Sequence, residues 1–168
     1  MDIVTQDKVL NIIGIELRTT NNNNQAFTDI PPFWQNFFSD DIAAKIPHKL
    51  SDDIYAVYTK FDNEGIDNTG MYSLIIGYPV NNLDQIPASL VSCTIPKSSY
   101  RKFAVNSSKP EDVGQICNGK PEDVGQTWQE IWQLSATDKE FNAKKSYIAE
   151  FEHYASSGKI NIYIGLKG

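Results

Sequence analysis

The chain has 168 residues, which suits one domain with a sizeable core. Apolar residues make up 40% and charged residues 21%, an ordinary globular composition, and no apolar run approaches the ~18 residues of a membrane helix. A net charge of −6 weighs against nucleic acid, whose phosphates need clustered Lys and Arg, and admits cationic ligands or basic protein surfaces.

The opening MDIVTQDKVLNIIG lacks the basic start, apolar core and small-residue cleavage site of a signal peptide, so the cytoplasm is the expected location. Cys93 and Cys117 have no CxxC spacing and read as reduced thiols, not as a disulfide framework or a zinc site. Neither a metal nor a cofactor is expected.

Taken in order, Val9–Thr19 alternates like a strand, and Asn21–Asn24 reads as a polar loop. In FTDIPPFWQNFFSDD, Asp29 suits a helix N-cap and the paired prolines suit a first turn. Phe33, Trp34, Phe37 and Phe38 follow at helical spacing, a pattern that ordinary core packing also produces. Asp41–Lys45 reads as a short helical turn, and Asp53–Phe61 as a second strand. Asp62–Gly70 has the Asp, Asn and Gly content of a hairpin connection into a third strand, Met71–Val80, with Gly77 at a bend or bulge.

Asn81–Pro87 is loop, and Leu90–Pro96 with Tyr100–Val105 forms a fourth strand broken around Lys97–Ser99. The heptapeptide KPEDVGQ then occurs twice, at Lys109–Gln115 and Lys120–Gln126, and reads as a duplicated surface loop without a chemical role. The second copy leads into a helix, Thr127–Leu134, with Trp128, Ile131 and Trp132 on one side. Lys139–Lys145 is polar loop. Ser146–Tyr154 and Lys159–Lys167 are the last strands. In SYIAEFEHY, period-two alternation puts Ile148, Glu150, Glu152 and Tyr154 on one face, and Tyr147, Ala149, Phe151 and His153 on the other.

The order strand, helix, strand, strand occurs twice. FWQNFF matches TWQEIWQL, DIYAVYTKF matches SYIAEFEHY, and MYSLIIGYPV matches KINIYIGLK, at an offset of roughly ninety to a hundred residues. The expected fold is therefore α+β: two βαββ units related by a pseudo-twofold, an antiparallel sheet, and two main helices flanking a central groove. Half 1 spans about 8–88 and half 2 about 89–168 of a single domain. Such a groove, lined by aromatics with a few polar groups, has the form of a small-molecule site.

The run IYAVYTKFDNEGIDNTGMYSLIIGYPV, then IPASLVSCTIPKSSYRKFAV, TWQEIWQL, AEFEHY and INIYIGLK, resembles the GyrI-like family. That family includes the effector-binding domains of AraC-type and MerR-type transcription regulators, the Rob C-terminal domain among them. The resemblance covers nearly the whole chain from Val9. It implies a groove that binds lipophilic, drug-like cations, with a glutamate of the penultimate strand reaching into an aromatic pocket. Glu152 matches that motif, with Glu150 on the same face as its rival. Regulators of the family carry a DNA-binding domain, whereas no helix-turn-helix pattern precedes the first strand here, so a stand-alone form that does not itself bind nucleic acid is expected.

The site residues expected on these grounds are Glu152, Glu150, Trp128, Trp132, Tyr154, Trp34, Phe37, Tyr58 and Tyr72. A carboxylate in a low-dielectric groove gains from a ligand cation, and aromatic faces add to that attraction. The leading reading is a binding module for an amphipathic cation. Two alternatives stay open: a hydrolase with Glu152 as general base, helped by Tyr154 or Tyr58, and a protein-binding module like the family's gyrase inhibitors. Catalysis ranks below binding, because His48 and His153 are the only histidines, and His153 falls on the strand face opposite Glu152.

Overall fold

The computed structural model describes residues 2–105 and 121–168. The strands are β1 (Ile3–Gln6), β2 (Leu10–Thr20), β3 (Ile54–Thr59), β4 (Met71–Val80), β5 (Val91–Ile95), β6 (Ser98–Ala104), β7 (Lys145–Tyr154) and β8 (Ile160–Leu166). The helices are α1 (Gln25–Ser39), α2 (Ile42–Lys45), α3 (Pro121–Thr137) and α4 (Lys139–Lys144), with a 3-10 turn at Asn22–Asn24 ahead of α1.

All strand pairs are antiparallel, in the order β1-β6-β8-β7-β3-β4-β2-β5. The order is symmetric about the β3·β7 pair. Half 1 contributes β3-β4-β2, half 2 contributes β7-β8-β6, and each half's preceding strand adds to the other half's edge. At the centre, Val57 faces Phe151, flanked by Ala56 opposite Glu152 and Tyr58 opposite Glu150. The sheet curls: β5 and β6 stand far apart in the order, yet only Pro96 and Lys97 separate them. Ile95 and Tyr100 close the curl by packing with Ile12, Val57 and Phe151 in one apolar cluster. The opposite face carries two further cores, one with Phe37 of α1 and one with Trp128 and Ile131 of α3.

The α+β fold with two helices on one sheet face is as expected, and several local expectations are corrected. Helix α1 starts at Gln25 after a left-handed Asn24, so Pro31 and Pro32 lie inside it and Asp29 is not its cap. The Asp29 carboxylate instead accepts from Thr19 Oγ1 (2.9 Å) and Gln25 Nε2 (3.0 Å). Gly77 makes no bulge. It sits in regular register opposite Gly14, where the backbones approach so closely that a Cβ on Gly77 would lie 2.1 Å from the Ile13 carbonyl oxygen.

In the second KPEDVGQ, Pro121–Gln126 is not loop but forms the first turns of α3, with proline leading as it does at helix starts. Its first copy and Cys117 lie outside the described residues. Lys139–Lys144 is helix, not loop, because Asp138 caps it by accepting from the Phe141 amide.

The alternation in β7 also breaks. From Lys145 to Glu150 the strand bulges against Leu166 to Ile164, with Tyr147 at φ 50°. Ile148 is thereby left 44% exposed, while Tyr147 packs edge-on against Phe61 at 6.2 Å. Glu150, Glu152 and Tyr154 follow the bulge in regular register on the helix face.

Candidate functional site

Between α1 and α3, floored by β3, β4 and β7, lies a cavity of about 630 Å³. Each helix lines it with a stripe at four-residue spacing, as side chains on one helical face must be. Ile30, Trp34 and Phe38 come from α1; Val124, Trp128 and Trp132 come from α3. The floor carries Tyr58, Tyr72, Glu150, Glu152 and Tyr154.

Of the residues expected at the site, Glu152, Glu150, Trp128, Trp132, Tyr154, Trp34, Tyr58 and Tyr72 line this cavity. Phe37 does not. It is 1% exposed in the core beneath α1, stacked on Tyr78 at 5.6 Å. Its neighbour Phe38, 61% exposed, takes the groove position and stacks on Trp34 at 5.9 Å. Lining residues not foreseen include Phe27, Ile30, Val124 and Phe61. Ile30 and Val124 were legible from spacing, because they stand four residues before Trp34 and Trp128.

Glu152 is 2% exposed and its carboxylate is surrounded by donors. Oε2 accepts from Tyr58 Oη–H (2.8 Å) and Trp128 Nε1–H (2.8 Å), and Oε1 accepts from Tyr154 Oη–H (2.5 Å). Burial pushes the carboxyl above its usual range, opposed by the hydrogen bonds from Tyr154, Trp128 and Tyr58, and among the described residues no cation acts on it. The hydroxyls of Tyr58 and Tyr154 are pushed well above the usual phenol range by burial and by the Glu152 charge, so both stay protonated donors.

Rings enclose this carboxylate. Trp128 meets Tyr58 edge-on at 5.4 Å and lies 6.1 Å from Trp132, while Trp34 meets Tyr154 edge-on at 5.1 Å. Glu150, 7% exposed, lines the same cavity directly across from Tyr58 in the ladder. Its carboxyl is also raised by burial, and Lys145 opposes that rise. Tyr72 rises to about 12 through burial and the charges of Glu150 and Asp29. Its hydroxyl donates to Asn21 Oδ1 at 2.6 Å.

The remaining polar candidates lie elsewhere. His153 faces away from Glu152, as the alternation required: Nε2 contacts Asp53 Oδ2 at 2.8 Å, and the ring stacks on Tyr55 at 4.5 Å. His48 is exposed. Among the described residues no group of three or more His, Cys, Asp or Glu could hold a metal ion. Cys93 is a free thiol, and burial raises it to about 12, which makes it a poor nucleophile. No helix among the described residues is long and apolar enough to cross a membrane.

A family model for integron-associated effector binding proteins, Cass2, matches residues 2–166. No curated protein sequence matches the chain. Three solved structures are similar to it. The integron cassette protein VCH_CASS2 from Vibrio cholerae shares 23% identity at a TM-score of 0.67, covering 99% of this chain and 95% of that one. SAV2435, solved with bound tetraphenylphosphonium, shares 19% identity at a TM-score of 0.74, covering 99% of this chain and 93% of that one. A candidate bacterial transcription regulation protein from Staphylococcus aureus MU50 shares 18% identity at a TM-score of 0.70, covering 99% and 97%. At these identities the likeness is one of fold.

Proposed function

The chain belongs to the family of integron-associated effector binding proteins, and we propose that its effector is a lipophilic cation held in the groove between α1 and α3, with Glu152 as the counter-charge. We read residues 1–168 as one such domain. The observation that carries this reading is a buried carboxylate with three hydrogen-bond donors and, among the described residues, no cationic partner. The donors stabilise the ionised form and leave its charge uncompensated. A buried, unpaired charge costs several kcal/mol, which a ligand cation offsets by supplying the missing partner.

Around it, Trp34, Trp128, Trp132 and Tyr154 present ring faces and edges. Each face in contact with a cation adds about 0.5–2 kcal/mol. The apolar lining suits a ligand with apolar substituents, and a protein of the same fold holds tetraphenylphosphonium. Hydrolysis with Glu152 as general base is served less well, because the three donors occupy most of the lone pairs that would take a proton.

Isothermal titration calorimetry with tetraphenylphosphonium tests the reading. The wild type binds saturably, and Glu152→Gln, which keeps the shape and removes the charge, binds roughly tenfold or more weakly. Equal affinity in the two proteins would overturn the role of the carboxylate. Absence of binding to the wild type would overturn the cation site itself.

A further inference from the structure

The groove holds a second carboxylate in a different state. Glu150 is 7% exposed and lines the cavity, yet among the described residues its carboxylate forms no hydrogen bond and no contact ion pair. The donors around it are committed elsewhere. Tyr58, directly across the ladder, donates its hydroxyl hydrogen bond to Glu152. Tyr72 donates its own to Asn21 Oδ1. Lys145 acts on Glu150 only through space, with Nζ directed at Ser135 Oγ (3.4 Å) and above the Tyr147 ring (4.7 Å).

An ionised carboxylate offers about four acceptor positions. Glu152 has three of them filled by the protein and needs from a ligand only positive charge. Glu150 has none filled. In the open groove water can serve it, but a ligand that fills the groove displaces that water and must replace its hydrogen bonds, or the desolvation penalty is left standing. A quaternary cation carries no N–H and cannot do so. A protonated amine or an amidinium can.

The two carboxylates stand two residues apart on one strand face, so roughly 7 Å separates their Cα atoms, within reach of one compact cationic head. Resting on the cation-binding reading above, we infer that Glu150 is a second recognition point, one that makes the groove select lipophilic cations bearing N–H donors over fully substituted cations with the same apolar skeleton and charge.

The test uses a matched pair of probes, a diphenylpropylammonium ion and its N,N,N-trimethyl counterpart, titrated calorimetrically at neutral pH. The wild type is expected to prefer the N–H ion by roughly tenfold or more, the scale of a hydrogen bond to a charged group. In Glu150→Gln the ratio of the two affinities shrinks, and in Glu150→Met it collapses toward one. The ratio is internal to each protein, so a loss of folded material does not mimic the effect. Equal affinities in the wild type, or a preference that survives both substitutions, would overturn this inference and leave the cation groove intact. Binding of neither ion by the wild type would overturn both.

Discussion

On the α1 side of the groove, Trp34 packs edge-on against Tyr154 and the floor offers the Tyr58 hydroxyl. On the α3 side, the related positions hold Trp128 and Glu152. Tyr58 and Glu152 are 94 residues apart, and the same offset relates Trp34 to Trp128, Phe38 to Trp132, Ile30 to Val124 and Phe37 to Ile131. It also relates Ala56 to Glu150. The duplication has thus kept the apolar stripes and the buried anchors in both halves, while both carboxylates stand in the second half alone. A symmetric scaffold supplies the walls, and the departure from symmetry supplies the charge. A purely structural core has no use for that departure, because burying carboxylates costs stability.

The symmetric part should fail symmetrically, and this gives the largest expected effects. Phe37 and Ile131 are 1% and 0% exposed under their helices. Replacing either by Ala should cost about 2–5 kcal/mol in denaturant unfolding, through lost burial and the cavity left behind. Phe38→Ala, at the exposed groove wall, should cost under about 1 kcal/mol. A Phe38 effect as large as that of Phe37 would contradict the assignment of one residue to the core and the other to the groove.

The asymmetric part should separate the two tryptophans. Trp128→Phe keeps a ring and removes the Nε1–H that holds Glu152, so cation affinity should fall roughly tenfold. Among the described residues Trp34 makes no hydrogen bond to either carboxylate, and Trp34→Phe should change affinity by less than about threefold. Equal losses would mean that the rings act only as walls, on both sides alike.

The smallest effect expected is on the pH dependence of stability. Burial raises Glu150 above its usual 4.5 in the folded chain, so folding takes up a proton in the window above that value. Stability from this group is present at acid pH and is lost as pH rises through the folded value. Glu150→Gln removes the titration. Thermal melts should therefore show the variant gaining on the wild type as pH rises from about 4 to neutral, with the difference shrinking at the acid end. A pH-independent difference would contradict the burial of an ionisable group there.

Much of this was legible before any coordinates, because the signals were periodic or repeated. The alternation in EFEHY placed Glu150, Glu152 and Tyr154 on one face and turned His153 away, as the ladder shows. The long repeat gave the α+β fold and the groove. Two of the misses depend on a contact distant in sequence. Helical spacing alone cannot tell Phe37 from Phe38, one position apart, until Tyr78 of β4 is seen to stack on the first. The bulge at Tyr147 is created by register against β8, which local alternation does not contain. The start of α3 was hidden by the Pro and Gly of KPEDVGQ, two residues that ordinarily signal loop; here the proline leads a helix and Gly125 lines the groove. Most telling, alternation alone put Glu150 and Glu152 on the same face, with Glu152 preferred only through the resemblance; their surroundings separate a carboxylate holding three donors from one that holds none among the described residues.

The indole N–H resonances report whether one groove takes a cation against Glu152. The chain has three tryptophans, Trp34, Trp128 and Trp132, and all three line the cavity. In a nitrogen-15 titration with tetraphenylphosphonium, all three signals should move along one saturable curve. The Trp128 signal is bonded to Glu152 and should sense the cation through that carboxylate, and the curve should shift to weaker affinity in Glu152→Gln. Three signals that stay in place while the ligand reaches millimolar concentration, or that move identically in Glu152→Gln, would contradict it.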